Sequence, residues 1–217
     1  MARRKRDGRM ERRAAYGTRK PKLGYYYILT DTDKTEKNYL MGLYRSLSKE
    51  CRDMIRIKVQ KGKTESLVEE CLENISLEEQ YTDPWIVFDK DQNSDDIFNK
   101  LIFDAEKAGV KVGWSNPCIE TWFSCYFGKM LGSRDSVLCC RKFKEQYERR
   151  TGSEYKKSDD DIYRKLNKIG DESRAIEIAT QQIEHFESVG ITSPSEMCPA
   201  TKLHELIDEI REKTGIK

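Results

Sequence analysis

Six acidic residues in three short segments have the types and spacing for chemistry: Asp31, Asp33 and Glu36, then Asp89 and Asp91, then Glu120. Carboxylates gathered in this way suit Mg2+ or Mn2+, hard cations that take oxygen ligands, keep several waters and need only a few protein carboxylates plus a substrate phosphate. Asp89 and Asp91 flank Lys90. In an extended segment both would point the same way, available to one ion. Like charges at that spacing are costly unless a cation or hydrogen bonds compensate. The same stretch, Asp89-Lys90-Asp91-Gln92-Asn93-Ser94, is also good turn chemistry, with an Asp or Asn able to cap the next helix. Asp33-Lys34-Thr35-Glu36 reads as a capping-box variant, with Asp33 as N-cap and Glu36 reaching back. Asp31 has no such structural explanation. The expected metal ligands are therefore Asp31, Asp89 and Asp91, the expected catalytic set adds Glu36, and Asp33 ranks behind it. Glu120 reads either as an outer ligand or as a first-turn helix acid favoured by the helix dipole. Lys156 and Lys157, in a polar stretch after Tyr155, read either as cations for a phosphoryl-transfer transition state or as part of a solvated loop, with Lys156 the one expected at the site.

The elements around these residues decide how they meet. Tyr25-Tyr26-Tyr27-Ile28-Leu29-Thr30 is aromatic and β-branched and predicts a buried strand ending at Asp31. Leu40, Leu43, Tyr44 and Leu47 recur at helical spacing and predict a helix over 35–49. Ile55, Ile57 and Val59 alternate as a second strand, followed by a helix over 65–75. Pro84 opens a third strand, Trp85-Ile86-Val87-Phe88, that ends at Asp89. A helix over 95–108 stops at Gly109, a fourth strand runs from Val110 to Ser115, and an apolar helix covers 119–127. The alternation of strand and helix predicts a mostly parallel sheet with helices on both faces, and in such sheets sites form at the carboxyl ends of strands. Beyond residue 130 the strand signals stop, and helices are expected at 136–149, 159–168, 173–188 and 201–213. Trp122, Phe123, Tyr126 and Phe127 read as core, and His185 and His204 as structural or surface residues. Lys61-Gly62-Lys63-Thr64 is not a phosphate loop, because the glycine required five residues before Gly62 is Ile57.

Of the 217 residues, 36% are charged and 37% hydrophobic, enough apolar content for one core. No stretch of eighteen apolar residues and no signal-like segment is present, so a cytoplasmic protein without membrane association is expected. Seven cysteines without a CxxC pair read as reduced thiols. The net charge of +2 is unevenly spread: residues 1–24 carry ten basic and two acidic residues, a charge of +8, which leaves −6 for the rest. Arg3, Arg4, Lys5, Arg6, Arg9, Arg12, Arg13, Arg19 and Lys20 thus form an N-terminal arm suited to phosphate contacts with DNA or RNA, or a solvated terminus. The expected organisation is this arm over 1–24, an α/β core over 25–130 and a helical extension over 131–217 packed on the core.

Two resemblances follow from these segments. Asp31-Thr32-Asp33-Lys34-Thr35 after an apolar strand resembles the DxDxT signature of haloacid-dehalogenase-like phosphatases, which implies Asp31 as nucleophile and Asp33 as general acid/base. More broadly, residues 25–43 (YYYILTDTDKTEKNYLMGL), 85–91 (WIVFDKD) and 115–127 (SNPCIETWFSCYF), with Tyr155-Lys156-Lys157, Asp161-Ile162-Tyr163 and the segment Pro199 to Leu206, resemble the RloB family, also described as AbiL-like. That resemblance spans about residues 22–213. It implies a Toprim-like core of about four strands, Mg2+- or Mn2+-dependent nuclease action, a place in bacterial phage defence or abortive infection, and an ATPase partner protein. By it, Asp89 and Asp91 match the Toprim DxD and Glu36 the family's Thr-Glu pair. Asp31-Thr32 stands where Toprim proteins have Glu-Gly, keeping a carboxylate but withdrawing it by one methylene. The expectations are thus a metal-dependent nuclease, a phosphatase, or a non-catalytic nucleic-acid-binding or sensor subunit of a defence complex.

Overall fold

The computed structural model describes residues 24–60, 63–78 and 80–215. The basic residues of the arm, Arg3 through Lys20, lie outside the described residues.

Five strands form one sheet in the order β2-β1-β3-β4-β5. They are β1 (Tyr26–Thr30), β2 (Ile55–Val59), β3 (Asp83–Asp89), β4 (Lys111–Asn116) and β5 (Ala200–Thr201). The first four pair in parallel, and β5 runs antiparallel along β4. Alternate side chains of each buried strand enter opposite cores. Tyr26, Ile28, Trp85 and Val87 face one; Tyr27, Leu29, Ile86 and Phe88 face the other. This is why β1 and β3 are apolar throughout rather than amphipathic.

The helices divide between those two faces. On the second core lie α3 (Leu67–Leu77), through Leu67, Val68 and Cys71, and α4 (Asp95–Lys107), through Phe98, Leu101, Ile102 and Ala105. The first core receives α1 (Thr35–Ser46), through Tyr39, Leu40 and Leu43, and α5 (Glu120–Cys125), through Trp122, Phe123 and Cys125. After α5 come α6 (Ser136–Thr151), α7 (Ile162–Ile169), α8 (Glu172–Ser188) and α9 (Leu203–Thr214). Phe143 and Tyr147 of α6, Ile162 and Leu166 of α7, Ala175 and Ala179 of α8 and Leu206 and Ile210 of α9 belong to the same cluster as Tyr26 and Trp122. The extension therefore shares a hydrophobic core with the sheet. Burying each large side chain there contributes about 1.5–3 kcal/mol. Trp122, Phe123, Tyr126 and Phe127 are all core residues, as their spacing indicates. Among the described residues no helix is long and apolar enough to cross a membrane.

The structure departs from the sequence reading in several places. The helix expected over 35–49 ends at Ser46, and Ser48 accepts a hydrogen bond from the Cys51 amide (3.3 Å) to start a separate turn, α2 (Lys49–Arg52). The helix expected from 159 starts at Ile162, because the carboxylate of Asp159 accepts from the Asp161 amide (3.1 Å) and holds a turn there. Strand structure does not stop at residue 130. β5 is too short to carry a periodic signal, and its place is set by Thr201, whose hydroxyl meets that of Ser115 (3.1 Å) and bonds the Trp114 carbonyl (3.1 Å).

Strand order positions the site. From β1 the chain crosses to β2 on one side, while β3 and β4 lie on the other. The loops after β1 and β3 leave for opposite faces, since α1 and α4 pack in different cores. Adjacent strands whose connections part in this way open a crevice outside their carboxyl ends. Asp31 follows β1 and Asp89 ends β3, so both stand at that crevice.

Candidate acidic cleft

Asp31 sits one residue past β1. Its Oδ2 accepts a hydrogen bond from the Thr64 hydroxyl (3.4 Å), while its buried Oδ1 has no partner. Thr64 is carried there by the loop after β2. The Gln60 amide donates to the Thr30 carbonyl (2.8 Å), and the Gln60 side chain donates to the Lys63 carbonyl (3.0 Å) and the Ser66 hydroxyl (2.7 Å). Burial first, then the charges of Glu36 and Asp91, push the Asp31 carboxyl up to about 7, against the Thr64 hydrogen bond.

Glu36 is in the first turn of α1 but does not reach back to cap it. The N-cap position is Lys34, with no side-chain cap, and Asp33 is exposed. The capping box expected at Asp33-Lys34-Thr35-Glu36 is absent. Instead Glu36 is 4% exposed and accepts a hydrogen bond from the Thr32 hydroxyl. Asp33 is thereby separated from the other acids of its segment.

Asp89 is 6% exposed, and its Oδ2 accepts from the backbone amide of Ile119 (2.8 Å), the residue preceding α5. Its carboxyl is held well above the usual carboxylate range by burial first, then by the charges of Glu36 and Asp91 and a hydrogen bond with Glu36. Asp91 does not reach the cleft by strand alternation, because β3 ends at Asp89. Asp91 lies in a turn with φ +41°, and its amide donates to the Pro117 carbonyl (2.9 Å). A left-handed conformation at a non-glycine residue costs about 1–2 kcal/mol. The cost falls at the carboxylate that the turn aims at the site, while Lys90 turns away to pair with Asp95 (2.9 Å). Although Asp91 is exposed, partial loss of hydration raises its pKa; Lys157 opposes this, and Glu36 and Glu120 add to it.

Glu120 completes the group. It is fully buried; its Oε1 accepts from the Tyr155 hydroxyl (2.9 Å) and the Cys140 thiol (3.4 Å) and lies 3.7 Å from the Lys157 ammonium, while Oε2 has no partner. Lys156, by contrast, is exposed, beside Glu154, which is also at the surface. The lysine at the cleft is its neighbour. Sequence reasoning thus missed Thr64 and Tyr155 as cleft residues and favoured Lys156 over Lys157. The polar stretch 155–157 marked the last two, but only the fold shows which lysine points inward.

Glu36, Asp91 and Glu120 thus lie close enough to raise the proton affinity of Asp31, Asp89 or Asp91, across three segments far apart in the chain. Among the described residues no three Asp, Glu, His or Cys side chains form a ready ligand set for a metal ion. The donor chemistry nevertheless fits a hard divalent cation: oxygen atoms only, mutually repelling charges, and orphaned oxygens on Asp31 and Glu120. Other surface grooves are lined by satisfied ion pairs, such as Lys111 with Glu209 (2.8 Å) and Arg211 with Glu172 (2.6 Å), and contain none of these carboxylates. The seven cysteines are free thiols, and His204 is held by the Thr201 carbonyl (2.9 Å).

The fold and cleft define an α/β protein of Rossmann-like arrangement with an acidic crevice at its strand-order switch. The family model for RloB-like proteins matches residues 26–210, and the chain belongs to that family. No curated protein and no solved structure matches it.

Proposed function

We propose that this RloB-like protein is a Mg2+- or Mn2+-dependent nuclease that hydrolyses phosphodiester bonds of DNA or RNA, with a Toprim-like core, acting in the cytoplasm in bacterial phage defence alongside an ATPase partner. The observation that carries the reading is the convergence of Asp31, Glu36, Asp89 and Asp91 at the strand-order switch. There the charges of Glu36 and Asp91 raise the affinity of Asp31 and Asp89 for positive charge. The phage-defence setting and the ATPase partner rest on the family resemblance alone.

Asp31, Asp89 and Asp91 would hold the cation. When bound, such an ion polarises the phosphate and lowers the pKa of an attacking water. The chain's own residues do the rest. The Ile119 amide fixes one oxygen of Asp89 and so orients the other, and Thr64 does the same for Asp31. Glu36, buried and held by the Thr32 hydroxyl, would take a proton from a nucleophile. Burial of the cluster strengthens each of these interactions.

The phosphatase reading has less support. Asp33, its general acid/base, is exposed and belongs to no network with Asp31, and α1 begins at Thr35, leaving no room for a hairpin flap after the motif. One experiment separates the three readings: plasmid DNA and tRNA are incubated with the protein and Mn2+, alongside Asp89→Asn, and a parallel sample receives fluoroberyllate. Cleavage lost in Asp89→Asn supports the nuclease. Trapping on Asp31 overturns it in favour of the phosphatase, and inactivity with retained nucleic-acid binding favours the sensor subunit.

A further inference from the structure

Besides Cys140 of α6, the helical extension reaches the cleft through a strap of chain. Gly152, with φ +67°, ends α6, and residues 153–161 then cross toward α7. Tyr155 anchors the strap: its ring is buried edge-on against Phe143 (centroids 4.8 Å apart) and beside Tyr147 (5.7 Å), and its hydroxyl donates to Glu120 (2.9 Å). Two residues on, the Lys157 carbonyl accepts from the Thr35 hydroxyl (3.3 Å), next to Glu36 on α1. The strap is thus pinned on both sides of the cleft. The Lys157 side chain is 52% exposed, with its ammonium 3.7 Å from Glu120 and within the field of Asp91.

We propose that Lys157 is the residue that meets the substrate phosphate, a catalytic cation lent to the acidic cleft by the extension. The inference deepens the nuclease reading and rests on it. A polyanion cannot approach five carboxylates without compensating positive charge, and one divalent ion neutralises only part of theirs. A lysine is a compact point charge with three rotatable N–H donors, suited to a phosphate oxygen. The separation from Glu120 is longer than an ordinary charged hydrogen bond, about 2.7–2.9 Å, so the ammonium's donors remain available to a ligand. Glu120 does not depend on it alone, since it also accepts from Tyr155 and Cys140.

The test compares wild type with Lys157→Met and Lys157→Arg in the full chain. It reads Mn2+ affinity by electron paramagnetic resonance, cleavage of plasmid DNA and tRNA, and melting temperature. Lys157→Met should cut cleavage about 100-fold, the loss typical of removing one transition-state donor. It should leave the melting temperature unchanged and leave Mn2+ affinity equal or tighter, because a repelling charge has gone. Lys157→Arg should recover part of the rate. Cleavage and Mn2+ binding lost together in Lys157→Met would show that Lys157 only organises the carboxylates, and would overturn the proposal. Undiminished cleavage would overturn it too, while sparing the nuclease reading. A wild-type protein that neither binds Mn2+ nor cleaves would bring down both.

Discussion

Replacing Asp31 with Asn should make the metal-free protein more stable, and the gain should grow with pH. Asp31 is largely buried at a strand end with one oxygen unpartnered, and burial with Glu36 and Asp91 lifts its pKa from 3.8 to about 7 in the folded state. A carboxyl raised on folding binds more protons folded than unfolded, so its ionisation opposes folding. The penalty is absent below the unfolded value of 3.8, grows as pH rises to about 7 and is constant above it. A shift of this size corresponds to at most about 4 kcal/mol at pH 8 and under about 2 kcal/mol at pH 5. Asn keeps the shape and removes the charge, though it weakens the hydrogen bond from Thr64. A net gain of about 2–3 kcal/mol at pH 8 is expected, which for a chain of this size raises the melting temperature by about 4–12 °C. The assay is urea and thermal unfolding of wild type and Asp31→Asn in EDTA, from pH 5 to pH 8. Saturating Mn2+ should reverse the order, because the cation binds the folded wild type and stabilises it by mass action. An Asn variant that is less stable at pH 8, or a difference that does not change with pH, would refute the reasoning.

Two further outcomes follow, one from the structure and one from the charge of the N-terminal segment. The Asn116 side-chain amide points at the carbonyls of Pro194, Ser195 and Met197, each at 3.1 Å, and so fastens the segment before β5 to the end of β4. Asn116→Ala removes their donor, at a buried bond for Met197 and at partly buried ones for Pro194 and Ser195, and should cost about 2 kcal/mol in urea unfolding. Deleting residues 1–22 should weaken binding to DNA and RNA alike and flatten the salt dependence by about 0.9 in the log–log slope for each phosphate that the arm neutralises, measured by fluorescence anisotropy over a salt series. Affinity and slope unchanged by the deletion would remove the arm from the interface.

Much of the fold was legible because it rests on strong periodic signals. The apolar runs of β1 and β3 and the spacing of Leu40, Leu43 and Tyr44 mark their elements without tertiary help. The placement of Asp31 and Asp89 at strand ends follows from those boundaries. What stayed hidden depends on interactions between distant segments. β5 has two residues and exists because Thr201 finds Ser115. Glu36 was legible as a site residue, but the capping role that local spacing also allows it is absent, because it is buried and held by Thr32 instead. Asp91 reaches the site through a left-handed turn held by Pro117, not through strand alternation, which local pattern cannot reveal. Lys156 and Lys157 are adjacent and chemically identical, and only the buried anchor of Tyr155 selects the second.

The central claim is that the clustered carboxylates form a divalent-cation site. Titrating Mn2+ into the metal-free protein while monitoring the free-ion resonance tests it without reference to any substrate. The account predicts saturable binding by wild type that weakens as pH falls below about 7, as Asp31 and its neighbours take up protons, and that is lost in Asp89→Asn. Absence of binding, or binding that Asp89→Asn leaves intact, would contradict it.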